Sequence, residues 1–352
     1  MARWHHNSIH ITSVVATPVV VPLRSPWVPP GVEQVRYILR AGTDRGLVGL
    51  GESSPGATLE QLRESARAVA GRPLDELCHA HLPIAPTPAY EAVELLVLDI
   101  LGQAHKMPVY QLLGGARRDR VLGRACLMGP IDAALSVLDR AAAEGFTAVL
   151  WHQDAATDVL ALARAIRRAD TRIALSVHGH ERWSVLGSVP LMQELSDAGV
   201  ESVIDPWPVP RAMETPGRSL RVLAQVHWPA EGEDWISPLQ RPCAGYEIHA
   251  SLAMSVRWSE VAFAWGRSCA LAGELDLGVR EAGRLHACLA CADCRPSDLH
   301  GRLLRQHDLL HRPLETRDGA FLPPDAPGLG VQLDPRALQE YRRGPDMELV
   351  RV

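Results

Sequence analysis

Apolar and polar positions keep one rhythm over the first third of the chain and another after it. Residues 9–22 (IHITSVVATPVVVP) are rich in β-branched side chains and predict a strand. Residues 34–41 and 47–51 predict two more, joined by the turn signal Asp44-Arg45-Gly46. A helical pattern runs from Leu59 to Ala70, and a longer one covers 88–105. In the longer stretch Val93, Leu96, Val97, Ile100 and Leu101 recur in steps of three and four, which puts them on one helical face. Three strands followed by helices is an α+β order. From Val121 short apolar runs alternate with helical stretches. Strands are predicted at 121–127, 147–152, 172–178, 200–205, 229–233, 247–253, 269–274 and 297–300, and helices at 131–143, 155–168, 187–197, 214–225, 258–266 and 279–291. Eight alternating units predict a closed parallel barrel, with the poorest periodicity in the fifth and eighth. Residues 302–352 are rich in Arg, Pro and Gly and must fold back on something.

Composition narrows the picture. A chain of 352 residues with 47% hydrophobic and 22% charged residues has ample material for a buried core. A net charge of −5 gives no general attraction for nucleic acid or an anionic membrane. No apolar run approaches the roughly 18 residues of a membrane span, and the first residues lack a signal-peptide core. A cytoplasmic protein with a small-molecule partner is expected. Cys78, Cys126, Cys243 and Cys269 are scattered among apolar residues, which favours reduced, buried thiols. Cys288-x-x-Cys291-x-x-Cys294 lies at a predicted helix end and reads as a packed helix face. Gly114-Gly115 and Gly328-Leu-Gly330 read as turn glycines, without the context of a phosphate loop. Of the 36 basic residues one is lysine, Lys106; the rest are arginine. Mechanisms that need two lysines are excluded. With 15 histidines, imidazole is the available nitrogen base near neutral pH.

Three segments carry a resemblance to the enolase superfamily, in its mandelate racemase and muconate-lactonizing branch: GLVGLGESSP at 46–55, LVLDILGQAHKMPVYQLLGG at 96–115 and PGLGV at 327–331. Gly145-Phe146, before the second barrel strand, fits as well. The resemblance implies a modified TIM (β/α) barrel with an N-terminal α+β capping domain completed by the C-terminal segment. The corresponding boundaries are 1–118 for the cap, 119–302 for the barrel and 303–352 for the return. It implies a divalent metal, usually magnesium, held by three carboxylates at the ends of barrel strands three, four and five. It implies a base that removes the proton next to a substrate carboxylate, while the metal stabilises the enediolate. It also implies a homo-oligomer.

The chain departs from that pattern where the chemistry should be. Strand two usually carries Lys-x-Lys, and here Leu150 and His152 stand at the lysine positions. His152 is a candidate base; the competing reading is a barrel-lining histidine that only hydrogen-bonds. Strand three gives His178-Gly179-His180 in place of Asp-x-Asn, with both imidazoles expected on one strand face. With Asp205 from strand four and Glu233 from strand five, the expected ligand set is His178, Asp205 and Glu233. One imidazole makes such a site less suited to magnesium and better suited to Mn, Fe, Co or Zn. The alternative is that no metal binds and protonated His178 or His180 pairs with the carboxylates. The family's Asp…His dyad, on strands six and seven, is replaced by His249 and Glu274, with an acid–base role or a plain salt bridge for Glu274.

Five tryptophans fall near expected strand ends or in the cap loop at the mouth: Trp27, Trp151, Trp183, Trp207 and Trp235. They favour an apolar or aromatic ligand, or simply plug the barrel. The leading expectation is a divergent enzyme that transfers a proton next to a carboxylate or carbonyl of a small organic acid, giving isomerisation or elimination. Its histidines His152, His178 and His180 replace lysines and one ligand carboxylate. The alternatives are a catalytically inactive family member that binds or assembles, and a metal-dependent oxygen or redox enzyme.

Overall fold

The computed structural model describes residues 8–24, 35–77, 82–152, 158–169, 172–183, 185–207, 220–227, 234–241 and 243–352. The chain opens with strands β1 (Ile11–Val19), β2 (Arg36–Thr43) and β3 (Val48–Glu52), then helices α1 (Leu59–Val69), α2 (Tyr90–His105) and α3 (Val109–Leu112). A short strand β4 (Val121–Leu122) leads to β5 (Ala125–Met128), α4 (Ile131–Ala143), β6 (Ala148–His152), α5 (Val159–Ala169), β7 (Ala174–His178), α6 (Val185–Asp197) and β8 (Val200–Ile204). Then come β9 (Arg221–His227), β10 (Gly245–His249), α7 (Leu252–Ala264), β11 (Ser268–Leu271) and α8 (Gly278–Ala290). The chain finishes with β12 (Thr316–Arg317), β13 (Ala320–Phe321), α9 (Pro335–Tyr341) and β14 (Met347–Arg351).

The cap is an antiparallel sheet in the order β14-β1-β2-β3. The C-terminal strand completes it, with Val14 opposite Val350. Helix α1 starts on a reciprocal capping box, in which Thr58 Oγ1 accepts the Gln61 N–H and Gln61 Oε1 accepts the Thr58 N–H. Seven parallel strands, β5 to β11 in sequence order, form the barrel wall. The eighth position is an irregular segment rather than a strand. Ser297 bridges Gly123, and the Asp298 N–H donates to Leu271 O, so residues 297–298 close the gap between β11 and the first strand.

Strand five differs from expectation. It is β9, Arg221–His227, in a stretch whose first half reads as helix, while residues 228–233 lie outside the described residues. The signal was present: Val222, Ala224 and Val226 alternate with Leu223, Gln225 and His227, the period of a strand with two faces. The cysteine reading also changes. Helix α8 ends at Ala290, Cys291 is its cap in an extended conformation (ψ 147°), and Cys294 lies beyond, so only Cys288 sits on the helix.

The three segments that carry the family resemblance meet at one residue. Asp99, buried on α2, accepts the N–H of Leu50 at 2.9 Å and of Leu329 at 2.8 Å. Gly328 lies against Gly102 and has φ 74°; a Cβ there would stand 2.1 Å from Asp99 Oδ1. Two further cap carboxylates reach across to the barrel. Glu94 accepts from Leu252 and Ala253 at the start of α7, and Glu52 accepts from Leu277 and Arg280 at the start of α8. Both satisfy otherwise unpaired helix N–H groups.

Candidate functional site

Inside the barrel the strand period decides what faces the axis. On β6, Val149 and Trp151 pack outward into the core under the helices, while Leu150 clusters with Ile204 and Leu223 in the interior. His152 therefore points inward, as expected, and Trp151 does not: it is fully buried between strand and helices and is no part of the mouth. Lower in the barrel Arg124 is buried between Glu247 and Asp298. Burial works against charge on Asp298, but Arg124, His300 and the Gly273 N–H outweigh it and hold its carboxyl below the usual range.

Two histidine groups stand at the C-terminal ends of the strands. The first joins His152 at the end of β6, His178 at the end of β7, and His180. Strand β7 stops at His178, so His180 is not on the strand face but in the turn after it, with φ 51°. The turn brings it back: the His178 and His180 rings stack at 4.1 Å, and His152 Nδ1 lies 3.3 Å from His180 Nε2. The turn is laced to the end of β8, with Gly179 N–H on Ile204 O and Glu181 N–H on Asp205 O. Gly179 is required there, because a Cβ would meet Pro206 Cα at 2.7 Å. His180, Glu181, Asp205 and Leu275 all have positive φ, which concentrates backbone strain at the strand ends.

His178 Nδ1 accepts the His180 N–H at 3.1 Å, so its proton sits on Nε2, which faces Gln225 Oε1 at 3.1 Å. Burial lowers the pKa of His178 to about 2 and of His152 to about 4, and His180 is lowered for the same reason. All three are neutral at neutral pH. His152 is therefore a weaker base than an unperturbed imidazole.

The second group lies on strands five to seven. His249 ends β10, and its Nε2 is 3.5 Å from Glu274 Oε1; its Nδ1 is 3.1 Å from Nδ1 of His227, the last residue of β9. Glu274 also meets Arg280 Nη1 at 2.6 Å. Burial opposes its charge, but Arg280 and His249 prevail and bring it down to about 2. With an ionised carboxylate on Nε2, His249 carries its proton there and accepts at Nδ1 from His227, which leaves the lone pair of His227 on Nε2. His227, His249, Glu274 and Arg280 line a cavity of about 220 Å³, roofed by cap residues Ser54, Pro55, Pro86–Pro88, Tyr90 and Glu91. His227 and Gln225 escaped the sequence reading because strand five was placed after them.

Of the expected metal set, the structure gathers His178 with His152 and His180 rather than with Asp205. Asp205 Oδ1 accepts the Gln225 N–H at 2.9 Å and lies 3.9 Å from Arg241; burial raises its pKa to about 6. Glu233 lies outside the described residues, as does Trp27. Trp183 is buried in the loop after β7, Trp207 is half-buried after β8, and Trp235 is exposed, its carbonyl accepting from Trp258 Nε1.

No family model matches the chain. It is 26% identical to muconate cycloisomerase 1 of Rhodococcus opacus over 72% of each chain. It is 24% identical to chloromuconate cycloisomerase of Cupriavidus pinatubonensis over 90% of this chain and 94% of that one. A crystal structure of an enolase from Mycobacterium smegmatis superposes with a TM-score of 0.80 at 23% identity, covering 96% of this chain and 92% of that one. Over most of its length the chain is similar to members of the enolase superfamily, in its mandelate racemase and muconate-lactonizing branch. Within that superfamily the similar proteins include racemases and epimerases, such as the N-succinylamino acid racemase of Thermus thermophilus at 22% identity over 75% of each chain. Relatives in the superfamily use a divalent metal, typically magnesium. Magnesium asks for hard oxygen donors. The described residues present imidazoles at strands two and three, and an Asp205 carboxylate engaged by the backbone of β9. This donor set does not fit magnesium. No helix among the described residues is long and apolar enough to cross a membrane.

Proposed function

We propose that the chain is an isomerase or lyase of this superfamily that moves the proton next to a carboxylate or carbonyl of a small organic acid, with imidazole in place of lysine. The observation that carries this reading is the chain Glu274–His249–His227 beneath the cap roof. Glu274 stays ionised and orients His249. His249 takes the proton from His227 Nδ1 as His227 Nε2 accepts one from the substrate. Each imidazole thus changes partner for its proton, and the positive charge that develops is offset by Glu274. Lys106, the one lysine, caps α2 outside the barrel and has no part in this. On the other side of Gln225, the neutral imidazoles of His152 and His180 offer ring nitrogens to a substrate oxygen. A neutral imidazole N–H suits that work, because it donates to a carbonyl oxygen and polarises it.

The test is α-proton exchange in deuterated water, followed by proton NMR. The panel takes its acids from the named activities of relatives: muconate, chloromuconate, N-succinylamino acids and hydrophobic dipeptides. Exchange or isomerisation is expected with at least one class. Glu274→Gln and His249→Asn should each slow it by about 10²–10⁴-fold, the usual worth of a positioned acid–base group. A chain that turns over a panel member equally fast with both substitutions would overturn the assignment, as would a wild type inert to every class.

A further inference from the structure

The first histidine group, which the proton-transfer reading uses only to polarise a substrate oxygen, has a geometry that points further. One ring nitrogen from each of His152, His178 and His180 lies within 4.8 Å of the other two. His152 Nδ1 and His180 Nε2 are 3.3 Å apart. Two nitrogens bonded to one tetrahedral ion at about 2.0–2.1 Å would be separated by about 3.3–3.4 Å. The spacing of these two nitrogens is therefore that of a pair sharing one ion.

His178 is held in one tautomer, with its lone pair on Nδ1. Its Nε2–H is held by Gln225 Oε1, and its Nδ1 lone pair points to the turn, where it accepts the His180 N–H. A ligating histidine usually donates its second nitrogen to a fixed acceptor in this way, which sets both tautomer and ring angle. An ion on Nδ1 would displace the His180 N–H and leave the Gln225 contact in place. The left-handed turn at His180 and Glu181, tied to Ile204 and Asp205, holds the third ring over the other two.

We propose that His152, His178 and His180 form a three-imidazole site for a divalent transition ion of the Co, Ni, Cu or Zn kind, with a donor set unlike the three carboxylates that the family uses for magnesium. Three nitrogen donors without a carboxylate select such ions over magnesium and calcium. Three protein ligands leave a fourth position for water or an oxygen of a carboxylate ligand, the arrangement of catalytic rather than structural sites. The site sits beside the Glu274–His249–His227 chain, linked to it through Gln225 and His227 on one face of β9.

Cobalt(II) titration of the full chain, stripped with chelator and without substrate, tests this directly. One equivalent should bind with the visible ligand-field bands of a four-coordinate nitrogen site. Zinc should displace it, and excess magnesium should not. His180→Ala, at an exposed turn and with an unchanged circular-dichroism spectrum as the folding control, should abolish the bands, and His152→Ala should do the same. Gln225→Ala should keep the colour but weaken binding by about 10- to 100-fold, the usual effect of losing the group that orients a ligand. Glu274→Gln should bind as the wild type does. No saturable colour, or colour that survives His180→Ala, overturns the site. Colour lost on His249→Asn but kept in His180→Ala overturns it too, by placing the ion on the other pair. The readout needs no turnover, so the proton-transfer reading and the metal site can fail separately.

Discussion

Replacing Arg124 with methionine removes the one cation from a buried three-group network in the lower barrel. Arg124 Nε meets Asp298 Oδ1 at 2.9 Å, and its Nη1 meets Glu247 Oε2 at 3.1 Å; all three side chains are at most 5% exposed. Methionine fills much of the volume but leaves two carboxylates facing each other without a counter-charge. Breaking a buried pair from one side costs about 3–5 kcal/mol. A chain of 352 residues unfolds with an entropy near 0.7 kcal/mol/K, so the midpoint should fall by roughly 4–7 °C. The loss also has a pH signature. In the wild type the Asp298 carboxyl is held below its ordinary range, so its stabilisation is present at neutral pH and is lost as pH falls. In the variant Glu247, already pushed upward by burial, rises further. A group raised in the folded state stabilises at low pH and loses that contribution as pH rises through its folded pKa. The gap between wild type and variant should therefore be wide at pH 8 and narrow toward pH 5. Thermal melts followed by circular dichroism at the two pH values measure it. A shift below about 1 °C, or an equal gap at both pH values, would refute the reasoning.

Glu94 is raised by burial to about 7, so wild-type stability should decline between pH 5 and pH 8 by on the order of 3 kcal/mol from this group; Glu94→Gln should flatten the decline in urea titrations. Gly328→Ala should cost about 3 kcal/mol or more, measured by urea unfolding, because it demands φ 74° and drives a Cβ into Asp99. Lys106→Gly should leave proton exchange unchanged and raise stability by up to about 1 kcal/mol, because Lys106 caps α2 with φ 55°, where glycine is unstrained.

The fold was legible because its recognisable residues are joints. GLVGLGE, LVLDILGQ and PGLGV meet at Asp99, where one carboxylate answers two backbone donors from distant segments. Such residues are fixed by packing and hydrogen bonding, whatever chemistry the barrel mouth performs. The site was legible only where strand period and strand end were both clear. His152 and His178 end their strands and face inward, as the alternation of β6 and β7 requires. His180 joined them by a left-handed turn, which spacing alone describes as a continued strand. Trp151 was misplaced by the same parity that placed His152: adjacent residues on a strand cannot share a face. His227 was hidden because Gln225 breaks the apolar run, so 214–225 reads as helix and the expected strand falls at 229–233, beyond His227.

The left-handed cap of α2 gives the chain a practical handle. Lys106 is exposed, stands one residue from Met107, and carries the only side-chain amine. The Met107 carbonyl accepts the Gly328 N–H at 3.0 Å, so a dye coupled through lysine-selective acylation sits on the seam between the cap helix and the C-terminal return. With the N-terminal α-amine blocked beforehand, its fluorescence would register the loosening of that seam without engineering a cysteine.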